Sequence, residues 1–258
     1  MAIQLSERDM MIFKFIEEHH VLLEKHIAWF ISCDEKPVLI RDRLRKLFYL
    51  DYLLCQRHGG KLPWWTTPTK PLVYMLSPMA RGIAHSAETE VDLSNDDTQR
   101  HLLEIANLRM IFLMDQKSGL ISDFTWQTMP ACSSDPVSAI VSFRRNGSLH
   151  RVAVMNQPEM SSENITASAQ KVIADGKADM IWLISRDEVQ QEKLQLLLAN
   201  SAVASRLAFA THQEVYKAGM ANSNWQSAGR QFAPVIADSI FVDSLPGQVQ
   251  WIPSAISA

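Results

Sequence analysis

Residues 37 to 50 read Pro-Val-Leu-Ile-Arg-Asp-Arg-Leu-Arg-Lys-Leu-Phe-Tyr-Leu, and this segment decides how the N-terminal third of the chain is interpreted. The apolar side chains that recur here at helical spacing are Ile40, Leu44, Leu47 and Phe48. The cationic side chains on the remaining surface are Arg41, Arg43, Arg45 and Lys46. The pattern predicts a helix with one apolar side and one cationic side, which is what a DNA recognition helix needs.

Two more helices are predicted before this segment, and a hairpin is predicted after it. Ser6-Glu7-Arg8-Asp9 matches a capping box, and the residues expected to face the core behind it are Met10, Ile12, Phe13 and Ile16. A second helix is predicted over residues 22–31. Two short strands are predicted over residues 51–55 and 71–77, joined by a loop rich in glycine and proline. This order predicts a winged helix-turn-helix domain, which we assign to residues 1–86.

Charge is concentrated in the same part of the chain. Between Lys36 and Arg81 there are nine basic and two acidic residues, a local net charge of +7, whereas the whole chain carries −3. Such clustering favours double-stranded DNA as the partner. Arg41 and Arg45 are expected to enter a major groove beside Arg43 and Lys46. The loop between the two predicted strands is the wing of this domain. Its residues expected to contact phosphates are Arg57, Lys61 and Lys70. The alternative is a basic helix that docks on an acidic protein surface.

Trp64 and Trp65 lie in the loop between the two predicted strands. Aromatic residues at such a position can stack on bases or wedge into a minor groove. They can also close a long loop onto its own domain, since aromatic side chains mostly supply buried area. We favour the packing interpretation for this pair.

Length and composition limit the other possibilities. The chain has 258 residues, 47% of them hydrophobic, which is enough for two domains. No apolar run approaches the roughly 20 residues of a membrane span, and residues 1–9 lack a signal-peptide core, so we expect a cytoplasmic protein without membrane partners. Three widely spaced cysteines predict neither a disulfide framework nor a zinc ribbon. No metal or other cofactor is expected from the histidines His19, His20 and His26.

The second domain, assigned to residues 98–258, follows an acidic connector. It is predicted to begin with a helix over residues 98–117. The strands predicted next are 120–128, 136–144 and 149–156, with the hairpin signal Asn146-Gly147 between the last two. The later elements predicted are a helix capped by Ser161 or Ser162, a strand over 180–184, a helix over 187–198 and a strand over 207–210. The order αβββαβ resembles a restriction-endonuclease-like core, so the expected fold class is α/β (α+β).

Four short segments carry a resemblance to a known family. They are Leu5-Ser6-Glu7-Arg8-Asp9, Arg41-Asp42-Arg43-Leu44-Arg45-Lys46-Leu47, Tyr74-Met75-Leu76-Ser77-Pro78-Met79-Ala80-Arg81-Gly82 and His101-Leu102-Leu103-Glu104-Ile105. With them the chain resembles the replication-relaxation and mobilisation group of plasmid and integrative-element proteins. The resemblance implies an N-terminal winged helix joined to a C-terminal nuclease-like domain.

The catalytic residues of that fold can be compared with this sequence. A metal-dependent nuclease needs an acidic residue at the start of its second core strand, then an acidic residue and a lysine on the next strand. Asp135 meets the first requirement, and Glu104 on the preceding helix could assist. The third strand offers only Val, Ala and Met, then Asn156 where the family tends to have an acid. We therefore predict a catalytically inactive domain in which Asp135 is a turn or cap residue.

Three functions are compatible with these patterns. The first is a DNA-binding protein of a plasmid or mobile genetic element, acting in mobilisation, replication or transcriptional control. Its second domain would form a homodimer or contact other mobile-element proteins. The second is a relaxase-like Mg²⁺-dependent endonuclease, whose candidate catalytic residues are Glu104, Asp123, Asp135 and Lys171. The third is a scaffold that does not contact DNA. The composition of the third strand favours the first.

Overall fold

The computed structural model describes residues 5–33, 37–84, 91–130, 135–156 and 161–228. Within them it contains eight α-helices and two β-sheets, so the predicted α/β (α+β) class is confirmed. Some residues used in the predictions lie outside the described ranges. They are Lys36 in the charge prediction, Cys132 in the cysteine prediction and residues 229–258 in the prediction of the second domain. Among the described helices, none has both the length and the apolar character needed to cross a membrane.

The first seven elements follow the order of a winged helix-turn-helix. They are α1 Glu7–His19, β1 Leu22–Leu23, α2 Glu24–Ser32, α3 Pro37–Tyr49, β2 Leu53–Arg57, β3 Leu72–Leu76 and α4 Pro78–Ala84. The strands form an antiparallel sheet in the order β1-β3-β2. The capping box predicted at Ser6 is present, with the Ser6 hydroxyl accepting from the backbone of Asp9.

Three details of the predicted helices were wrong. Leu22 and Leu23 form strand β1 rather than the start of α2, because they pair with Tyr74 and Val73 of β3. Met10 and Phe48, expected in the core, are 38% and 41% exposed. In both cases the neighbouring helical positions already fill the buried face, so the extra apolar residue remains on the rim.

The remaining elements form the second sheet and the helices on its two faces. They are α5 Asp96–Lys117, β4 Ser122–Thr128, β5 Ala139–Arg145, β6 Ser148–Asn156, α6 Ser162–Ala174, β7 Met180–Ser185, α7 Glu188–Leu198, a 3₁₀ turn Ala204–Arg206, β8 Leu207–Thr211, α8 His212–Ala218 and β9 Gln226–Ser227. Strand order is β4-β5-β6-β7-β8-β9. Strands β6, β7 and β8 are parallel, and the other pairs are antiparallel. The predicted order αβββαβ followed by αβ is present.

Hydrophobic packing explains the layers of this domain. One face of the sheet packs against α5 and the buried Trp225, and the other packs against α6 and α7. The β5–β6 hairpin turns at Asn146 and Gly147, whose φ angles of 50° and 83° are those that a two-residue hairpin turn requires. The predicted Asn-Gly turn is therefore confirmed.

Helix α5 belongs to both cores. Ala106 and Met110 pack into the core of the winged module, whereas Leu108, Ile111 and Phe112 pack against the second sheet. A helix that is apolar over most of its circumference is buried on more than one side. This packing brings the loop between β2 and β3 close to the second domain.

Candidate nucleic-acid interface and a buried polar cluster

Helix α3 separates a buried face from an exposed one. Ile40, Leu44 and Leu47 are at most 1% exposed and hold the helix against α1 and α2. The exposed residues of the opposite face are Arg41, Asp42, Arg45, Lys46, Phe48 and Tyr49. We call Arg41, Arg45, Lys46 and Tyr49 the basic face. Tyr49, which is 74% exposed, was not among the predicted site residues, although its spacing of four from Arg45 places both on one side of a helix.

Arg43 has a different environment from its neighbours. Its guanidinium donates to both carboxylate oxygens of Asp9, which is completely buried at the start of α1. Burial alone would raise the pKa of Asp9, but hydrogen bonds from Arg43 and Ser6 hold that pKa below its ordinary value. Arg43 therefore links α3 to the capping box of α1. The carboxylate of Asp9 takes part both in capping α1 and in holding α3 against it.

The other three cations of α3 are held loosely or not at all. Arg41 donates to Glu24 of α2 at 3.1 Å, with 56% of its side chain exposed. Arg45 lies 4.0 Å from Asp42, and both side chains are more than 60% exposed. An exposed pair such as Arg45–Asp42 contributes only about 0–1 kcal/mol, so a phosphate could replace that carboxylate at small cost.

The loop between β2 and β3, residues 58–71, is anchored to α5. His58 is completely buried and its Nδ1 lies 3.2 Å from Oε1 of Gln99, while the backbone N–H of Gly59 donates to Asp96 at 3.1 Å. The predicted phosphate contacts of the wing remain on the surface; they are Arg57, Lys61 and Lys70. The loop therefore has a fixed base and presents its cations to solvent.

Trp64 belongs to this loop, and its side chain is buried beneath the loop rather than exposed on its surface. It is 3% exposed and packs with Leu102 and Leu103 of α5. Its ring centroid is 6.1 Å from that of His212 in the second domain. The packing interpretation is confirmed for Trp64. Trp65 is only partly buried, and its Nε1 donates to the carbonyl of Thr69 at 2.7 Å within the loop.

A second group of polar residues lies at the carboxyl ends of the parallel strands. Asn156, the last residue of β6, donates through Nδ2 to Oε2 of Glu104 at 3.2 Å and lies 3.4 Å from Nδ1 of His101. Its Oδ1 is 2.5 Å from Nε2 of His212, the first residue of α8. Glu104, Asn156 and His212 are each at most 2% exposed. We call these three residues, with His101, the carboxyl-edge cluster.

His212 is neutral in this cluster. Burial, helped by the nearby charges of His101 and Arg186, lowers the pKa of His212 to about 3. Because the amide nitrogen of Asn156 donates to Glu104, its oxygen must accept, and the neutral ring therefore carries its proton on Nε2. His212 Nε2 also lies 3.9 Å from Glu104, but an uncharged imidazole makes no ion pair there. Arg100, 3.8 Å from Glu104 and 3.0 Å from Asp97, compensates the buried carboxylate instead.

The four candidate catalytic residues do not converge on one site. Glu104 and Asp135 lie at the same edge of the sheet, since Asp135 precedes β5, whose first residue pairs with Val154 near the end of β6. Asp123 lies at the opposite edge, 3.2 Å from Arg144 beside the hairpin turn. Lys171 is exposed in the last turn of α6, which leads into the start of β7 at that opposite edge.

Asp135 has a local structural role. Its Oδ1 accepts from the backbone N–H of Val137 at 3.1 Å, so its interpretation as a turn residue is confirmed. His212 was not foreseen, because its strand was predicted to end at residue 210 and no motif marked the histidine that follows Thr211. A histidine directly after a buried parallel strand is the signal that could have found it.

The carboxyl-edge cluster does not suit Mg²⁺. That ion prefers six oxygen ligands, whereas the cluster directs an amide N–H at its carboxylate and closes the other side with a neutral imidazole. Within the part of the chain that the structure describes, no group of three or more His, Cys, Asp or Glu side chains is arranged to hold a metal ion. Oε2 of Glu104 and both polar atoms of the Asn156 amide are thus hydrogen-bonded within the protein.

Comparison of the chain with models of known protein families, with curated proteins and with solved structures gives no match.

Proposed function

We propose that this protein binds double-stranded DNA through the basic face and acts in the mobilisation, replication or transcriptional control of a plasmid or other mobile genetic element. The observation that carries the proposal is that the third helix of a winged helix-turn-helix exposes Arg41, Arg45 and Lys46 together. The mobile-element part of the proposal rests on the four sequence segments that resemble the replication-relaxation and mobilisation group.

The proposed complex uses two groups of exposed side chains, one on α3 and one on the wing between β2 and β3. Arg45 and Tyr49 lie on the outermost side of α3, so they reach base edges in a major groove, with Arg41 and Lys46 flanking them. The exposed cations of the wing hold the adjacent phosphates, and these are Arg57, Lys61 and Lys70. Arg43 is excluded from this set, because releasing it would leave Asp9 buried without its partner.

A shift assay with duplex DNA tests the proposal. Replacing both Arg45→Ala and Lys46→Ala should weaken retardation about tenfold or more at low salt, because two phosphate or base contacts are lost. The matched control is Lys177→Ala with Lys193→Ala, which removes two exposed cations from the second domain. Equal retardation of the two double variants, or none by the unmodified protein, would exclude DNA binding by α3.

The second domain is proposed to be non-catalytic and to mediate homodimerisation or contact with other mobile-element proteins. One observation favours the endonuclease alternative, namely that Glu104 and Asp135 share an edge of the sheet. Complete burial of Glu104 and its hydrogen bond from Asn156 argue against it. Supercoiled plasmid incubated with Mg²⁺ or Mn²⁺ decides: we expect it to stay supercoiled, and nicking that Glu104→Gln abolishes would replace our proposal with the endonuclease.

A further inference from the structure

A cavity of about 560 Å³ lies beside the carboxyl ends of β7 and β8, away from α3. Its walls come from α7, from α8 and from the segment that leads into β9. The lining residues that matter here are Glu188, Gln191, Glu192, Glu214 and Asn224, and we call this cavity the acidic pocket.

The charge of the acidic pocket is negative. Three glutamates line it, and Lys217 is the single cation among its lining residues within the described part of the chain. Glu214 is half-buried and accepts from the backbone N–H of Asn224 at 2.7 Å. Burial and the nearby charge of Glu188 raise the pKa of Glu214, against the effect of that hydrogen bond. A positive charge placed in the pocket would relieve this unfavourable arrangement.

A buried amide oxygen in the wall of the acidic pocket adds to the excess of acceptors. Gln191, which lines the pocket and is 5% exposed, donates through Nε2 to Oε1 of Gln226 at 3.0 Å. Gln195 donates to the same oxygen at 3.1 Å. Among the described residues, the Oε1 atom of Gln191 has no hydrogen-bond donor. Because buried acceptors in proteins are nearly always satisfied, an acceptor of this kind in a pocket wall points to a ligand that brings N–H groups.

We propose that the acidic pocket binds a protonated amine or guanidinium group. Such a ligand supplies both missing elements, a positive charge for Glu188, Glu192 and Glu214 and several N–H donors for Gln191. The volume admits one extended polyamine or one lysine or arginine side chain, with no room for a folded element. A metal ion fits less well, since no metal-binding group of side chains is found among the described residues. This binding site is separate from the proposed DNA interface.

Calorimetric titration of the full chain tests the site with three probes: spermidine, acetyl-Gly-Arg-Gly-amide and the same peptide with citrulline in place of arginine. We expect one equivalent of a cationic probe to bind, whereas the isosteric but uncharged citrulline peptide should not bind. Tighter binding of spermidine would identify a free polyamine as the ligand. Tighter binding of the arginine peptide would identify a side chain of a partner polypeptide.

Charge variants test the location. Glu192→Gln combined with Glu214→Gln should weaken binding of the cationic probe about tenfold, since two partly exposed charge interactions are lost. The control pair Glu7→Gln and Glu163→Gln, exposed on α1 and α6, should leave binding within about twofold. The proposal is overturned if neither cationic probe binds at millimolar concentration, or if both double variants bind equally well. The α3 shift assay is independent of either result.

Discussion

The basic face and the carboxyl-edge cluster place similar polar side chains in opposite environments. Arg45 is 61% exposed in its side chain, so it keeps its hydration and can exchange water or a weak partner for a phosphate. Glu104, Asn156 and His212 are at most 2% exposed, and Asn156 is hydrogen-bonded to both of the others. A buried polar group that loses its partner is destabilising, whereas an exposed one is not. In this fold, exposed polar residues are therefore available to bind a partner, whereas buried ones stabilise the structure.

The same contrast exists within α3 itself. Arg43 and Arg45 are two positions apart, yet one is paired with a buried carboxylate and the other faces solvent. Residue type alone therefore does not identify a DNA contact, and burial of the partner decides the role.

The largest expected effect is on the carboxyl-edge cluster. Asn156→Leu should lower the free energy of unfolding by about 4 kcal/mol, because Glu104 loses a donor and His212 loses an acceptor in the interior. Urea denaturation measures this change. Asn164→Leu, exposed on α6, should change the same quantity by less than about 0.5 kcal/mol. A loss below about 1 kcal/mol for Asn156→Leu would show that the cluster contributes little to stability.

The anchored wing should show a slightly smaller effect. Trp64→Ala should cost about 3 kcal/mol, because it leaves a cavity between the loop, α5 and His212. Trp65→Ala should cost less, since that side chain is only partly buried. Thermal or urea unfolding gives both values. If Trp64→Ala kept full stability but weakened DNA binding, then the stacking interpretation of this tryptophan would be correct.

The next largest effect is expected for Arg43 of α3, whose substitution should be more destabilising than that of Arg45. Arg43→Ala should lower the free energy of unfolding by about 2 to 3 kcal/mol, because Asp9 stays buried without its cation. Arg45→Ala should change it by less than about 0.5 kcal/mol. Both variants are compared by urea denaturation at one pH. Equal losses would remove the distinction between structural and exposed arginines on this helix.

Lowering the pH should decrease the free energy of unfolding through the buried histidines, without changing the charge of the basic face. Burial, the largest cause in each case, lowers the pKa values of His19, His26 and His212, so these groups bind protons in the unfolded chain first. Their contribution to the free energy of unfolding is complete above the unfolded pKa of about 6.5. Below that pH it declines by about 1.4 kcal/mol per pH unit for each histidine. Asp115, whose pKa burial raises to about 6, acts in the opposite direction and offsets one of the three protons between about pH 6 and 4.

Urea denaturation at several pH values measures the balance. The net expectation is that the free energy of unfolding falls as the pH decreases below about 6, because the histidines outnumber the raised carboxyl group of Asp115. Arginine and lysine do not titrate in that range, so DNA affinity of the folded protein should stay nearly constant. Stability that stays level between pH 7 and 5 would mean that these histidines are protonated in the folded state.

The local elements were predictable from sequence, whereas the contacts between them were not. The capping box at Ser6, the hairpin turn at Asn146 and the succession of helices and strands from α5 to β8 along the chain follow from short-range backbone preferences. Phe48 was misassigned because three other residues of α3 already fill the core, which periodicity alone does not reveal. The ion pair between Arg43 and Asp9 joins residues 34 positions apart, and the bond between Asn156 and His212 joins residues 56 apart. Such pairings depend on how helices and strands pack, so no local pattern contains them.

The most direct test of the central claim is the salt dependence of duplex DNA binding. For the unmodified protein we expect the logarithm of the association constant to fall linearly with the logarithm of salt concentration. Arg45→Ala with Lys46→Ala should reduce the slope by about two, and Lys177→Ala with Lys193→Ala should leave it unchanged. A slope that is the same for all three proteins would contradict DNA recognition by the basic face.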